Sequence, residues 1–419
     1  MMRRLLKIAA LAGAGLLAVK ELLLPSEQPQ PENKTDEQRE HRSQKVNLKQ
    51  WTLRIVALLS LFGILGFFIA ASGIIPMKAS SGHWAVTRWI LQFSKNRSID
   101  THSLGLEIPP LDEPGLVLKG AGHYAIGCFP CHGSPEIKHP RIAQAMLPSP
   151  PYLWPESVKR EPEELFYIIK HGLKFTGMPA WPVKQRDDEV WAVVAFLRKY
   201  PDIDAAEYHR LVNGDVSADK EVEPLTGLLE PQKLPKRILE NCARCHGIDG
   251  RGRGLGAFPK LAGQNSDYLF SSFEAYARGE RHSGIMGPVA AGLNSEEIRK
   301  LTDYYASLPQ SSPTSSDIIP AIERGKLIAQ QGIPRQRIPA CTACHGPNDI
   351  SRNPFYPKLA NQYADYLTLQ LMLFKKGDRG GTAYAHIMRQ IAERLTAEQM
   401  RDVALYYESL TSAPDQQSQ

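Results

Sequence analysis

Cysteine is scarce in this sequence, with six residues in 419. Such a low density excludes a disulfide scaffold, so the positions of the cysteines matter more than their number. The sequence also lacks a phosphate-binding loop and a nucleophile paired with a base, the signs of common enzyme classes. Hydrophobic residues make up 42% and charged residues 22%. These ordinary proportions exclude wholesale disorder and a fibrous protein.

The net charge is close to zero over most of the chain. The formal net charge is +6, which taken alone would suit an acidic partner such as nucleic acid or membrane lipid. Residues 1–76 carry ten Lys or Arg against six Asp or Glu, whereas the rest of the chain carries 40 against 38. Because the positive charge is concentrated at the N-terminus, it indicates membrane orientation, and no nucleic-acid partner is expected.

All six cysteines belong to one pattern, C-x-x-C-H, which occurs three times. The three motifs are Cys128, Cys131 and His132; Cys242, Cys245 and His246; and Cys341, Cys344 and His345. This pattern is the attachment signature of c-type haem, in which two thiols bond the porphyrin edge and the histidine binds iron. A zinc site would leave one cysteine pair unused, and a thioredoxin-like pair needs a βαβ setting that is not visible. We therefore expect three covalently attached haem c groups.

The motifs define three units, 116–201, 232–309 and 318–411, which we call the first, second and third units. The second and third units share more than the haem motif: F-P-K-L-A-G-Q at 258–264 recurs as Y-P-K-L-A-N-Q at 356–362. Polar, proline-containing segments separate the units and are predicted to be linkers.

Each unit is predicted to close with an amphipathic helix. The apolar faces are Val190, Val193, Val194 and Leu197; Ile298, Leu301, Tyr305 and Leu308; and Met400, Val403, Tyr407 and Leu410. In the second unit Asn294 and Glu297, and in the third Thr396 and Gln399, have the spacing of a capping box.

Three methionines stand in register with these closing helices. Met178, Met286 and Met388 each lie 12 residues before the first apolar position of the helix. A thioether opposite histidine suits low-spin haem iron. The predicted axial pairs are His132 and Met178, His246 and Met286, and His345 and Met388. Three nearby histidines are alternative ligands, although surface or propionate-bonding roles are favoured for them: His171, His282 and His386. Packing is the interpretation favoured for Met146, Met372 and Met400.

A membrane segment precedes the haem motifs. Residues 55–75 form an uncharged apolar run of about 31 Å as a helix, and we predict a transmembrane helix over 55–76 that contacts membrane lipid. Since covalent haem attachment takes place outside the bacterial cytoplasm, the part after this helix is expected in the periplasm, with 1–54 on the cytoplasmic side of the inner membrane. Residues 1–24 are either an interfacial helix or a second span.

The connector 77–115 contains apolar residues at helical spacing. They are Val86, Trp89, Ile90 and Phe93. Two interpretations stay open: a short helix on the membrane surface, or a helix packed against the first unit.

Over residues 116–411 the sequence resembles class I c-type cytochromes, through C-x-x-C-H-G in every unit, T-G-M-P at 176–179 and the F/Y-P-K-L-A-x-Q repeat. The second and third units resemble the two halves of cytochrome c4. The resemblance implies an all-α fold with three tandem cytochrome c domains after the transmembrane helix. It also implies that the carbonyls of Pro259 and Pro357 orient the histidine ligands, with Pro150 or Pro151 in that role in the first unit.

If both axial positions of each iron are filled, no substrate reaches metal, and electron transfer is the expected function. We expect redox partner proteins of the respiratory chain: a donor such as a periplasmic dehydrogenase or quinol-oxidising complex, and an acceptor such as a terminal oxidase. One alternative is a peroxidase- or reductase-like haem enzyme with one open axial site. A second is an assembly or docking subunit whose haems are structural.

Overall fold

The regular structure of the chain is helical. The computed structural model describes residues 36–75, 77–138, 140–154, 159–214, 236–310, 318–347 and 353–410, and segment 1–24 lies outside them. Within these ranges there is no strand, only isolated bridges between single residues. The prediction of an all-α fold is therefore confirmed. The chain divides into two compact parts, Met1–Ser81 and Gly82–Gln419.

From residue 36 onward, the described residues of the N-terminal part form a long helix, α1, at Asp36–Ala71, and a 3-10 turn at Ala79–Ser81. Its segment Gln50–Ala71 has a mean hydropathy of 2.4 and is long and apolar enough to cross a membrane. The helix begins inside the polar linker and ends before residue 76, because Gly73 adopts a left-handed φ of 71° that stops it.

The connector forms helix α2 at Ala85–His102. Its C-terminal half packs on the first unit: Ile99 is buried, and the His102 ring stacks on Tyr167 with 5.6 Å between centroids. The apolar face of its N-terminal half is 49–67% exposed and comprises Val86, Trp89, Ile90 and Phe93. The interpretation in which this face packs against the first unit is therefore wrong.

The first unit is built on two crossing helices. Its helices are α3 Pro114–Gly127, α4 Phe129–His132, α5 Arg141–Gln144, α6 Pro162–His171 and α7 Asp187–Lys199, with a 3-10 turn at Tyr200–Asp202. A further helix, α8 Ala205–Asn213, lies in the segment predicted to be a linker and packs Tyr208 and Val212 into the core of this unit. Helices α3 and α7 cross at Gly120, where a side chain would overlap the carbonyl of Ala192. The predicted apolar face of α7 is buried in the core beneath this crossing.

The second and third units continue the helical pattern. The second has α9 Lys236–His246, α10 Ser266–Ala277, α11 Met286–Ala291 and α12 Ser295–Ser307. The third has α13 Ile319–Gln331, α14 Thr342–His345, α15 Ala364–Lys376, α16 Ala385–Arg394 and α17 Ala397–Ser409, with a 3-10 turn at Pro334–Gln336.

The closing helices α12 and α17 match their predicted patterns. Both open with the expected capping boxes, each formed reciprocally by side chain and backbone. Helix α17 crosses α13 at Gly325, which repeats the glycine crossing of the first unit. Met400 is buried in the core as expected, but Met372 is 42% exposed, so packing is the wrong explanation for it.

Candidate functional site

The three motif histidines are held in the same way. Each ring lies with Nδ1 at hydrogen-bond distance from a prolyl carbonyl oxygen. The distances are 2.9 Å for His132 and Pro151, 3.2 Å for His246 and Pro259, and 2.9 Å for His345 and Pro357. Since a carbonyl oxygen only accepts, Nδ1 carries the proton and Nε2 keeps the lone pair that a metal ligand needs. The roles expected for Pro259 and Pro357 are confirmed, and Pro151 takes this place in the first unit.

All six motif cysteines are half-buried. Burial raises the pKa of the Cys128 and Cys242 thiols to about 12, and that of the Cys245 and Cys341 thiols to about 11. Zinc is bound by thiolates, gathered with other ligands around one point. Across the residues that the structure describes, no three His, Cys, Asp or Glu side chains gather in this way.

A cavity of about 870 Å³ joins the predicted sites of the second and third units. Its lining includes Cys245, His246, Met286, Cys341, Cys344, His345 and Met388. Its volume falls in the upper part of the range of about 300–1,000 Å³ for ligand sites. The structure thus brings the predicted histidine and methionine of each of these two units to one apolar space.

In the first unit, Cys128 and Met178 both pack against the core. The Met178 loop is closed by two contacts: its own N–H donates to Thr176 Oγ1 at 3.1 Å, and its carbonyl accepts from Leu173 N–H at 3.2 Å. The three methionines occupy different settings, since Met286 begins α11 and Met388 lies inside α16. Their common spacing in the sequence therefore does not reflect a common secondary structure.

The three competing histidines separate into two groups. His171 and His386 are exposed, in agreement with the surface role favoured for them. His282 is half-buried, and its Nδ1 has no hydrogen-bond partner among the residues described.

The second and third units bind each other through the repeated motif. Gln264 Oε1 accepts from Lys358 N–H at 2.8 Å, and its Nε2 donates to the Lys358 carbonyl at 2.9 Å. Gln362 makes the same pair of contacts with Lys260, at 3.0 and 2.9 Å. The last residue of F/Y-P-K-L-A-x-Q is therefore an interface residue. The sequence interpretation missed this role, although the repeated glutamine was its signal.

Two arginines place positive charge in the cavity. Arg281 donates to Tyr366 Oη at 3.1 Å, and Arg379 donates to Tyr268 Oη at 2.7 Å, so these contacts also cross between the units. Neither arginine pairs with a carboxylate within the described ranges. Burial opposes ionisation of Tyr268, yet Arg379 and Arg281 lower its pKa to about 8. This positive potential suits the propionate carboxylates of haem, so the cavity fits that cofactor in shape, ligands and charge.

The first unit reaches the same cavity through α3, which contributes Lys119 and His123 to its lining. Gly122 of this helix lies against the second haem motif: an added Cβ would be 3.3 Å from Cys245 Sγ and 3.0 Å from Phe258. Burial lowers the pKa of His123 to about 4 and keeps the imidazole neutral. The Cys245 side of the second unit is therefore covered by the first.

Comparisons with known proteins agree with this geometry. The family model described as cytochrome c matches residues 234–309 and 322–411, and the model described as cytochrome c oxidase, cbb3-type, subunit III matches 115–197. Cytochrome c-552 of Acidithiobacillus ferridurans is 37% identical over 42% of this chain and 76% of its own length. A thiosulfate dehydrogenase electron acceptor of Thiomonas intermedia is 31% identical over 42% and 80% of the two chains. Cytochrome c4 of Azotobacter vinelandii is 31% identical over 40% and 84%.

Helical units with C-x-x-C-H motifs whose histidines rest on prolyl carbonyls define a class I c-type cytochrome. The chain belongs to the cytochrome c family, and its second and third units are cytochrome c4-like. Its domains bind haem c covalently, and its role lies in electron transfer.

Proposed function

We propose that this chain is a membrane-anchored, periplasmic three-haem cytochrome that carries electrons from a respiratory donor to a downstream acceptor. The observation that carries the proposal is the repeated site: three C-x-x-C-H motifs, each with its histidine oriented by a prolyl carbonyl. In the second and third units the same cavity also holds the methionines placed in register by the sequence.

The residues that hold each haem fall into two groups. The thioether bonds come from Cys128 and Cys131, Cys242 and Cys245, and Cys341 and Cys344. The iron would be held by His132 and Met178, His246 and Met286, and His345 and Met388. Each haem would supply an iron that cycles between the ferrous and ferric states. With a histidine and a methionine on each iron, substrates would not reach the metal, and the site would be restricted to electron exchange.

The anchor is the segment Gln50–Ala71 of α1, placed in the inner membrane with the haem units in the periplasm. The N-terminal half of α2 supports this placement: its four exposed apolar side chains suit the boundary between lipid headgroups and acyl chains. The partners are redox proteins. One relative is named for accepting electrons from thiosulfate dehydrogenase, which makes a periplasmic dehydrogenase a reasonable donor for this chain.

The test is carbon monoxide binding to the reduced, detergent-solubilised chain, combined with a haem count. We expect three haems per chain and only slow, substoichiometric binding, because methionine occupies the sixth position on each iron. Rapid binding of a full equivalent would instead support a haem enzyme with one open site. Failure of a native partner to reduce the haems rapidly would point to a structural, docking subunit.

A further inference from the structure

A buried carboxylate of the first unit reaches into the methionine loop of the second unit, residues 282–286. Glu189 lies on α7 and is 2% exposed. Its Oε1 accepts from Ser283 Oγ at 2.7 Å and forms an ion pair with Arg186 at 3.0 Å. Its Oε2 accepts from Gly284 N–H at 2.7 Å and from the Trp181 indole at 3.0 Å. Three hydrogen-bond donors and one guanidinium, from two units, thus converge on one carboxylate.

Ser283 connects this carboxylate to the proposed haem ligand. Its Oγ accepts from Met286 N–H at 3.0 Å and from Ile285 N–H at 3.3 Å. A hydroxyl has one proton and two lone pairs, so the two amides use the lone pairs and Glu189 receives the proton. The direction of the hydroxyl, and with it the start of α11 at Met286, is set by a residue of the first unit.

Side chains of the first unit also pack closely against loop 282–286. An added Cβ on Gly284 would overlap the Trp181 indole and lie 3.0 Å from Glu189 Oε2. Ile285, the residue before Met286, is buried in the core of the first unit. Trp181 stands three residues after Met178, so the residue that packs on the second methionine loop adjoins the methionine of the first unit. Side chains of the first unit therefore help to shape the loop of the second.

A carboxylate suits this position better than an amide does. All four groups around Glu189 are donors, and a glutamine would turn its own NH₂ toward two of them. Arg186 balances the charge of Glu189 and also donates to the His282 carbonyl at 2.6 Å, which holds the loop from its other end. Asp188 and Lys119 complete the cluster with a salt bridge of 2.9 Å.

We propose that Glu189 is a positioning residue for the second haem: through Ser283 it holds the loop 282–286 so that Met286 stays on iron. The first unit then controls the sixth ligand, and hence the reduction potential, of the second. This inference rests on the proposed function, since it takes Met286 as an axial ligand.

The experiment uses the full haem-loaded chain in detergent and follows the near-infrared absorption of ferric haem with a methionine ligand. Met286→Leu tests the ligand itself and should remove about a third of this band, since one haem of three is affected. Glu189→Gln should weaken the same third of the near-infrared band. It should also lower the reduction potential of one haem and allow that haem to bind carbon monoxide. Ser283→Ala should act in the same direction, and it serves as the test if Glu189→Gln does not assemble.

The matched control is Asp402→Asn in the third unit. Asp402 is also a buried carboxylate, but it pairs with Arg324 at 2.7 and 2.8 Å and contacts no methionine loop. Its variant should keep the whole band even if stability falls. A full band in Met286→Leu would refute the ligand assignment, and with it the proposed function. The other informative result has two parts. Met286→Leu loses a third of the near-infrared band, while Glu189→Gln and Ser283→Ala keep the full band and unchanged reduction potentials. That result would overturn the positioning role of Glu189 and leave the proposed function intact.

Discussion

The second unit meets its two neighbours in different ways. Its contact with the third unit is reciprocal: Gln264 and Gln362 each bind the backbone of the other unit's motif. At loop 282–286 its contact with the first unit is one-sided, since Arg186 and Glu189 bind the backbone and the hydroxyl of that loop. Elsewhere Arg253 of the second unit donates to two backbone carbonyls of α8. The reciprocal contact is made by one sequence motif that is present in both units. The one-sided contact is made by residues of the first unit that lie outside this motif.

The chemistry of the two contacts differs as well. An amide matches a backbone N–H and C=O with one donor and one acceptor, and no charge is buried. A buried carboxylate and guanidinium are removed from water, so each depends on the other to offset that cost. The one-sided contact should therefore be the more sensitive to loss of a single side chain.

The largest effect is expected from Arg186→Met. The Arg186 side chain is 8% exposed, and it pairs with Asp188 at 2.8 and 2.9 Å as well as with Glu189. Its removal leaves the buried charge of Glu189 without its cation and takes one of two cations from Asp188, so the free energy of unfolding should fall by about 3–5 kcal/mol. Urea unfolding followed by haem absorbance measures the change.

The control for this variant is Arg324→Met in the third unit. Arg324 makes the same two-bond pair with Asp402, but its side chain is half exposed to water. The loss should be smaller, because only Asp402 is buried in this pair and the half-exposed guanidinium is screened by solvent. Equal losses in the two variants would contradict the distinction drawn between the contacts.

The next largest effect is a loss of folding stability at acidic pH. Burial, opposed in part by Glu189 and its neighbours, lowers the pKa of His123 from 6.5 to about 4 in the folded chain. Below pH 6.5 the unfolded chain takes up this proton and the folded chain does not, so the stability present above pH 6.5 is lost as pH falls toward 4. The full loss from this one group is about 3 kcal/mol.

His123→Phe checks the pH effect, because phenylalanine cannot titrate and has nearly the same shape. The variant should lose less stability than the wild type between pH 6.5 and 4, measured by urea unfolding at several pH values. His209 is the control position, since its ring is about half exposed and pairs with Glu136 on the surface. Parallel pH profiles for wild type and His123→Phe would show that His123 does not contribute.

A smaller effect is expected at the reciprocal contact. Gln264→Ala removes the two hydrogen bonds that this amide makes with the Lys358 backbone, and Gln362→Ala removes the matching two with the Lys260 backbone. Each variant should lose about 1–3 kcal/mol, and the two losses should be similar. Gln330→Ala is the control, since that amide makes one long contact of 3.4 Å, to Tyr406 within its own unit. Clearly unequal losses for Gln264 and Gln362 would show that the contact is not energetically reciprocal.

The features that could be predicted from the sequence are those that depend on local patterns. The closing helices and their capping boxes follow from periodicity and spacing within a few residues, and the structure has them where expected. The carbonyls behind His246 and His345 followed from the resemblance to a known family. Pro151 was left ambiguous because the P-K-L-A sequence is missing from the first unit.

The contacts between units were not predicted, for a physical reason. Glu189 stands in the acidic first turn of α7, where a carboxylate is expected at a helix N-terminus in any case. Nothing local distinguishes it from a solvated residue, because its partners lie almost a hundred residues further along the chain. The exposed start of α2 was undecided in the same way, since a helical apolar stripe does not state what covers it.

The smallest effect tests how closely α3 packs on the second unit. Gly122→Ala adds a methyl group 3.0 Å from Phe258 and 3.3 Å from Cys245, closer than ordinary contacts. Gly127→Ala, in the same helix, adds a methyl with nothing within 4 Å. Replacing a helical glycine by alanine gains up to about 1 kcal/mol, and about 0.5 kcal/mol is expected at the last residue of α3, Gly127. The crowding at Gly122 should cancel its larger gain, so Gly127→Ala should unfold at higher urea concentration than wild type and Gly122→Ala should not. A clear stabilisation by Gly122→Ala would mean that α3 and the second haem motif stand further apart in solution.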